Sequence, residues 1–304
     1  MWCADVFSND CKTMTTAIIT ATYSNDFERC VFLCESMEAR LKGDWMHYLL
    51  VADVDREQFL ALEGDHRKVV TESEIFPFWC RSFPDPISTR HARVWLTPFS
   101  RPLRGWHAQQ LRRLAIARHI DEDIMLTLDS DVVVVRNFDV DDLGDVDAIR
   151  FYRNEDAFTE QMQEHLLWSK NAGTLLGITA PVVSKTDYIT TFIAWRRETV
   201  CDMLDHIEAQ NKCHWMRAVV KQSQMSECMI YGRYVDEVLM GRNHLPTQHS
   251  LCHVLWDETV AEPTKDGLRR FVKKMTNEQV AVGIQSFVGI SMGDVRDVVE
   301  ETHP

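Results

Sequence analysis

Ile124-Met-Leu-Thr-Leu-Asp129-Ser-Asp131, followed by Val132 to Val135, is the stretch whose reading decides the fold. Five residues, four of them apolar, lead into two carboxylates two positions apart, and four valines follow. A β-prone run of that length predicts a strand buried on both faces, the kind found inside an α/β sheet. Asp129 and Asp131 then fall at its C-terminal end, where open α/β sheets collect their ligands. Two carboxylates side by side at the edge of a low-dielectric core repel each other unless a cation or proton sits between them. Hard oxygen ligands so placed suit Mg²⁺ or Mn²⁺, which bind through one or two carboxylates plus substrate phosphates. Read without its surroundings, the same motif is a strand ending in a solvated acidic turn.

Upstream, Thr16 to Thr22 predicts a strand, and Tyr23-Ser-Asn-Asp26 a turn that supplies a helix N-cap. Phe27, Val31, Cys34 and Leu41 follow at helical spacing. A second strand, Met46 to Val51, ends at Asp53; Asp55 opens a short helix, and a third strand lies around Lys68 to Thr71. Strand, helix, strand, helix, strand is the pattern of a parallel sheet with right-handed crossovers. Thr20 to Tyr23 and Asp53 should therefore open on the same edge as Asp129. The helix His107 to His119 feeds directly into that strand, and Gln109, Gln110 and Arg113 fall one turn apart on it.

Residues 76–105 break the pattern. Pro77, Pro84, Pro86, Pro98 and Pro102 speak against regular structure there. Arg81, Arg90, Arg93, Arg101 and Arg104 face one acid, Asp85, in a chain of net charge −13. A long irregular segment is uncommon unless functional or disordered, and its Trp and Phe content argues against disorder. The two readings are a flap that binds an anion or sugar and a structural wrap.

Downstream, Asp139 to Asp147 is acidic and turn-like, Ala148 to Tyr152 predicts a strand, and Thr159 to Trp168 a helix. Thr190 to Trp195 reads as a strand passing into the helix Arg197 to Glu208, and another helix spans Trp215 to Lys221. Ser226 can cap a helix through Met240, which puts Glu227 in its first turn, where the dipole favours a carboxylate. Gly232 sits inside that helix at a cost of about 1 kcal/mol relative to Ala. His244, His249, Cys252 and His253 invite a zinc reading, but their spacing matches no finger or ribbon, and Pro246 prevents a helical pair. A basic helix, Gly267 to Lys274, and the apolar run Val280 to Ile284 complete the tail.

The 304 residues, 45% hydrophobic and 26% charged, are long enough for a sizeable core. The acidic balance argues against nucleic-acid binding and against a general anionic-membrane surface. No apolar run reaches the length of a transmembrane helix, and no signal peptide is recognisable. Nine cysteines without CxxC pairing predict reduced thiols and a cytoplasmic protein, with the inner face of the membrane as a peripheral alternative. Cys30 and Cys34 share a helix face, as core packing requires. Dinucleotide, P-loop and nucleophile-elbow motifs are absent.

Two enzyme classes place Asp-x-Asp after a buried strand. Haloacid-dehalogenase-like phosphatases open their fold with it, whereas here the motif begins only at residue 129, with no convincing later partner. The other class is the metal-dependent glycosyltransferases of the GT-A fold, in which a nucleotide-binding half precedes the motif. Gly105-Trp-His-Ala-Gln109-Gln110-Leu-Arg-Arg113-Leu, a helix, and the Asp129-Ser130-Asp131 strand resemble the helix-plus-motif block of that class. The chain is especially similar to a large bacterial glycosyltransferase-like family. Phe192-Ile-Ala-Trp195-Arg-Arg-Glu198 and Met225-Ser-Glu227-Cys-Met-Ile-Tyr231-Gly232 resemble two further blocks, and the likeness runs from about residue 15 to 290.

The resemblance implies a GT-A, Rossmann-like α/β fold: a mixed, mostly parallel sheet flanked by helices, with a C-terminal helical extension. Residues 1–14 would precede a single domain, 15–304, with a nucleotide-binding half to residue 131 and an acceptor half and tail beyond it. It implies transfer of a hexose from a nucleotide-sugar, UDP-sugars favoured, to a glycan or other hydroxyl acceptor, with a catalytically inactive sugar-nucleotide-binding protein of the same fold as the alternative. Thr20, Thr22, Tyr23 and Asp53 would contact the nucleotide, and Gln110 and Arg113 the ribose or phosphates. Ser130 and Trp195 join that substrate set. Asp131 would ligate Mn²⁺ or Mg²⁺, with Asp129 on ribose or metal, and Glu227 would be the base of an inverting reaction. Gln285 stands where many members carry a metal-binding histidine, which leaves His253 as the competing third ligand.

Overall fold

A computed structural model describes residues 14–88, 92–222, 224–255, 262, 264–285 and 288–302. The chain begins with β1 (Thr16–Ala21), α1 (Phe27–Arg40), β2 (Leu41–Lys42), β3 (Trp45–Val51), α2 (Arg56–Phe59), β4 (Arg67–Thr71) and α3 (Glu72–Ile75). Next come β5 (Arg81–Pro84), β6 (Arg93–Leu96), α4 (Gly105–Ala115), β7 (Ile124–Thr127), β8 (Val132–Val134), β9 (Phe138–Asp139) and β10 (Ile149–Tyr152). Four helices surround one strand: α5 (Gln163–Leu176), β11 (Ile193–Arg196), α6 (Arg197–Asn211), α7 (Trp215–Val220) and α8 (Glu227–Arg233). The tail is β12 (His244–Thr247), β13 (Cys252–Leu255), α9 (Lys265–Val272), β14 (Ala281–Ile284) and α10 (Met292–Thr302).

The central sheet runs β11-β7-β1-β3-β4, with four parallel strands and β11 antiparallel at one edge. Every residue of β1 is buried, which the unbroken apolar and threonine run Thr16-Ala-Ile-Ile-Thr-Ala21 anticipates for a strand covered on both faces. Ala17, Ile19 and Ala21 pack in one cluster with Ala108, Leu111 and Ala115 of α4, whereas Ile18 joins Leu33 and Met37 of α1. The two helices therefore cover opposite faces. The protein is mixed α/β with a mostly parallel sheet flanked by helices, as a Rossmann-like arrangement requires.

The run 124–135 is not one strand. β7 pairs with β1 and β11 and stops at Thr127; the valines of β8 leave that sheet and pair with β14 in a separate β13-β14-β8 sheet. Asp129 to Asp131 form the turn between the two, closed by Val132 N–H on the Asp129 carbonyl at 3.2 Å. Both segments are buried, so hydrophobicity alone could not reveal the break. α9 and α10 pack beneath this second sheet through Leu268, Phe271, Val295, Val298 and Val299.

Other expectations shift in smaller ways. Despite its prolines, the segment 76–105 contains the β5–β6 hairpin, with Pro84 at a strand end; Arg90 lies outside the described residues. α5 starts later than expected and runs through Asn171 and Gly173. The strand expected at Thr190 begins at Ile193. Ser226 caps α8 as anticipated, its Oγ accepting from Met229 N at 3.4 Å, but the α-helix ends at Arg233 and a π-helical turn, Tyr234–Val238, follows. Asp26 precedes α1 without a side-chain capping bond. The seven cysteines among the described residues are free.

Gly232 has a packing reason. A Cβ built there would lie 2.1 Å from Tyr188 Cγ, so the Tyr188 ring occupies the space of the missing side chain. Gly232→Ala should therefore destabilise the protein by about 1–3 kcal/mol through overpacking, against the roughly 1 kcal/mol that helix propensity alone would return. Urea unfolding measures the net effect, and a stabilised variant would show that the Tyr188 ring yields freely.

Candidate functional site

The parallel strands reverse their order between β1 and β7, because β3 and β4 lie on one side of β1 and β7 on the other. Such a switch point leaves a crevice outside the carboxyl ends of the strands. Here a cavity of about 890 Å³ opens there, lined by Tyr23 after β1 and by Asp129, Ser130 and Asp131 after β7. Its walls come from both sides of the Asp131–Val132 junction, since Tyr152, Asp187, Glu227 and Gln285 also face it.

Arg113 organises the centre. Its Nη1 donates to Glu227 Oε1 at 2.8 Å and its Nη2 donates to Asp129 Oδ1, so one guanidinium joins α4, α8 and the β7 turn. Burial would lower the Arg113 pKa, but the charges of Asp129 and Glu227 reverse this and hold it above its usual value. Gln110, one turn earlier on α4, accepts the Glu227 N–H at 3.0 Å through Oε1, which directs its Nε2 the other way. Gln110 Nε2 and Arg113 Nε are buried donors with no hydrogen-bond acceptor among the described residues. Each such donor costs about 1–3 kcal/mol, which favours a ligand that brings oxygen acceptors.

Of the residues expected from the sequence, Tyr23, Gln110, Arg113, Asp129, Ser130, Asp131, Glu227 and Gln285 line this one cavity. Five others do not. Thr20 is buried, its Oγ1 3.0 Å from His47 Nε2, and Thr22 is buried behind the strand end. Asp53 opens the turn after β3 and accepts from Ser73 N at 3.3 Å. Trp195 is fully buried and stacks on Tyr231 with centroids 5.2 Å apart. His253 bonds the Phe271 carbonyl at 3.1 Å and stacks on the Phe271 ring at 4.0 Å, on the far side of β13 from Val254, which does face the cavity. None of the described residues of 76–104 lines the cavity either.

Several wall residues went unnoticed in the sequence. Trp106 stands on the α4 face already marked by Gln110 and Arg113, at i−4 and i−7, so a helical wheel could have found it. His165 and Trp168 of α5, Tyr152 of β10 and Asp187 arrive from elements far away in the chain and carry no local signal. Asp26 also lines the wall. Burial pushes its carboxyl above the usual range, Arg29 opposes the rise, and the charge of Asp129 adds to it.

The donor set decides what cation the cavity could take. No group of three or more His, Cys, Asp and Glu among the described residues could cage a metal ion. Asp129 and Asp131 nevertheless offer hard oxygens on one wall, a set that fits a Mg²⁺- or Mn²⁺-type ion whose other ligands are substrate phosphate and water. The described walls carry five carboxylates, Asp26, Asp129, Asp131, Asp187 and Glu227, against one guanidinium. An anionic ligand would be repelled unless a cation entered with it. No helix among the described residues is long and apolar enough to cross a membrane.

Arg113→Leu should destabilise the protein by about 3–5 kcal/mol, because it strands two partly buried carboxylates. Urea titrations measure the deficit against the parent. An unchanged unfolding midpoint would mean that both carboxylates regain solvent.

No curated protein matches the chain. Over residues 13–301 it matches a family of unknown function (DUF6492), and the chain belongs to that family.

Proposed function

We propose that the protein is a metal-dependent glycosyltransferase of GT-A type, moving a sugar from a nucleoside-diphosphate sugar to an acceptor hydroxyl. The observation that carries this reading is the convergence of Asp129, Asp131, Arg113, Gln110 and Glu227 on one cavity at the switch point of the parallel sheet. A divalent ion held by Asp129 and Asp131 would supply Lewis-acid neutralisation of the leaving diphosphate. Gln110 Nε2 and Arg113 donate hydrogen bonds to the diphosphate oxygens, which draws the guanidinium away from its carboxylates. Glu227 then regains the lone pair that Arg113 had occupied and takes the proton of the acceptor hydroxyl. The hydroxyl oxygen forms its bond to the anomeric carbon as the carbon–phosphate oxygen bond breaks, and that electron pair leaves with the nucleoside diphosphate. Gln285 orients ligand or water beside Asp131.

A thermal-shift panel of UDP-, GDP-, CMP- and dTDP-sugars, with and without Mn²⁺, tests the reading. One donor should stabilise the protein in the presence of Mn²⁺, by about 2.7 kcal/mol at a hundredfold excess over its dissociation constant. Asp131→Asn should abolish the Mn²⁺-dependent part and leave the ligand-free melt near that of the parent. Turnover of p-nitrophenyl phosphate, lost in Asp129→Asn, would instead favour a phosphatase.

Glu227→Gln separates a base from a residue that merely stabilises its helix. As the base it should lose turnover by roughly 10²–10⁴-fold and still bind donor. Glutamine keeps the hydrogen bond to Arg113 within reach, so an unchanged rate, or a product of retained anomeric configuration, would remove Glu227 from that role.

A further inference from the structure

The cavity has a second wall of different character, which the carboxylates and Arg113 do not explain. Trp106, Trp168 and His165 line it together with Tyr152 and Met162. The indoles of Trp106 and Trp168 lie 5.4 Å apart and are tilted by 33°, and His165 is 4.8 Å from Trp168. Phe158 backs His165 at 4.9 Å. Trp168 is held in place, its Nε1 donating to Gln224 Oε1 at 3.2 Å, while Asn171 Nδ2 anchors the Gln224 carbonyl at 2.6 Å. Trp106 nonetheless leaves 43% of itself exposed. A solvent-facing indole packed on an anchored one, inside an otherwise acidic cavity, is placed to meet a ligand with an apolar face.

We propose that the Trp106–Trp168–His165 wall is the subsite for a pyranose ring of the acceptor, stacked through its C–H face. This rests on the glycosyl-transfer reading above and names its acceptor class. Position along α4 carries the assignment. Trp106 lies seven residues before Arg113 on the same helix face, about 10 Å along the axis. Between them sits Gln110, bonded to the backbone of Glu227, and beyond is Arg113, bonded to Asp129. A ring on the wall therefore sits on the Glu227 side of the Asp129–Asp131 turn. The polar lining suits sugar hydroxyls: Asp187 faces the same cavity as an acceptor, and the Thr190 and Ser250 hydroxyls, 2.7 Å apart, line it as well. A long-chain alcohol would find apolar surface on one side and carboxylates on the other. A nucleobase also stacks on aromatic rings, but the half-exposed Tyr23 ring, close enough to feel the Asp131 charge, offers it a face of its own.

Saturation-transfer NMR with methyl glucoside, galactoside, mannoside and N-acetylglucosaminide, and with glycerol as the polyol control, tests the subsite. At least one pyranoside should receive saturation on its ring C–H protons, and glycerol should not. Trp106→Ala, at a half-exposed position, should weaken that binding about tenfold and leave the Mn²⁺-dependent donor shift unchanged. Trp168→Phe, which keeps the ring packing of the fold, should give a smaller loss of the same kind. Absence of binding by every pyranoside, or full affinity in Trp106→Ala, overturns the subsite. A donor shift lost in Trp106→Ala overturns it in another way, by giving the wall to the nucleobase. Failure of the glycosyl-transfer reading is read separately: no donor then stabilises the parent protein, and the acceptor role falls whatever the pyranosides do.

Discussion

Two consecutive arginines on α4 hold both the sheet and the cavity, and they do so because one helical residue turns the side chain by about 100°. Arg112 points into the sheet. Its guanidinium reaches Glu72 at 2.6 and 2.9 Å and the carbonyls of Thr22 and Leu50 at 3.0 and 3.3 Å, tying the ends of β1 and β3 to α3. Glu72 is completed by Trp95 Nε1 at 2.6 Å, so this buried pair is also satisfied from the hairpin. Arg113 points the other way and spans Asp129 and Glu227. A shift in the seating of α4 would therefore disturb the strand ends and the cavity together. Buried pairs of this kind contribute little net stability over apolar packing, but losing one partner is costly, so they fix geometry more than they add stability.

That geometry is placed by the topology. A parallel sheet that winds outward from β1 to β4 and then returns to β7 must separate its crossover loops between β1 and β7. The Asp129–Asp131 turn falls on that gap, and it also leads the chain out of the central sheet into the one built by β8, β13 and β14. Ile284 N–H closes the second sheet on the Asp131 carbonyl at 3.0 Å. Gln285 then emerges from β14 beside Asp131. The acidic turn is the joint between two sheets, and the rigidity of both fixes where its carboxylates stand.

Much of this was legible from local chemistry. The apolar run into Asp129 marked β7 as buried on both faces, and the alternation of strand and helix signals from β1 onward implied a parallel sheet, from which the gathering of Tyr23, Asp129 and Asp131 follows. Ser226 announced α8 and with it the fixed position of Glu227. What remained hidden shares one cause: it depends on partners distant in the chain. The break between β7 and β8 is set by the strands each half pairs with, β1 on one side and β14 on the other, and valines suit either. Thr20 lies near the right strand end but turns into the core toward His47, and Trp195, opposite Met125 because β11 is antiparallel, lies toward the start of β7 and stacks on Tyr231, neither of which residue spacing registers. Trp168, His165 and Asp187 enter the cavity from a helix and a loop whose placement follows from α5 packing on α8, where Gly173 makes room for the buried Arg233 guanidinium.

The charge balance of the cavity links these observations. In the ligand-free protein Arg113 pairs with two of the five carboxylates lining the cavity, and burial together with the neighbouring charge of Asp129 holds the Asp26 carboxyl above its usual range. The internal ion pairs thus stand in for the charges a substrate would bring. A bound diphosphate together with a divalent cation would supply both signs at once, letting Arg113 exchange carboxylate partners for phosphate while Asp129 and Asp131 turn to the cation. Neither half of that exchange is favourable alone: a diphosphate without the cation meets four or five negative groups, and a cation without the diphosphate finds only two ligands on one wall and a guanidinium beside them. If the protein transfers a sugar as proposed, cooperative entry of metal and donor would follow from the arrangement of charges on this wall. The aromatic wall one to two turns away on α4, which carries no charge pair with that cluster, is left free to accept a neutral ligand in any state of the first.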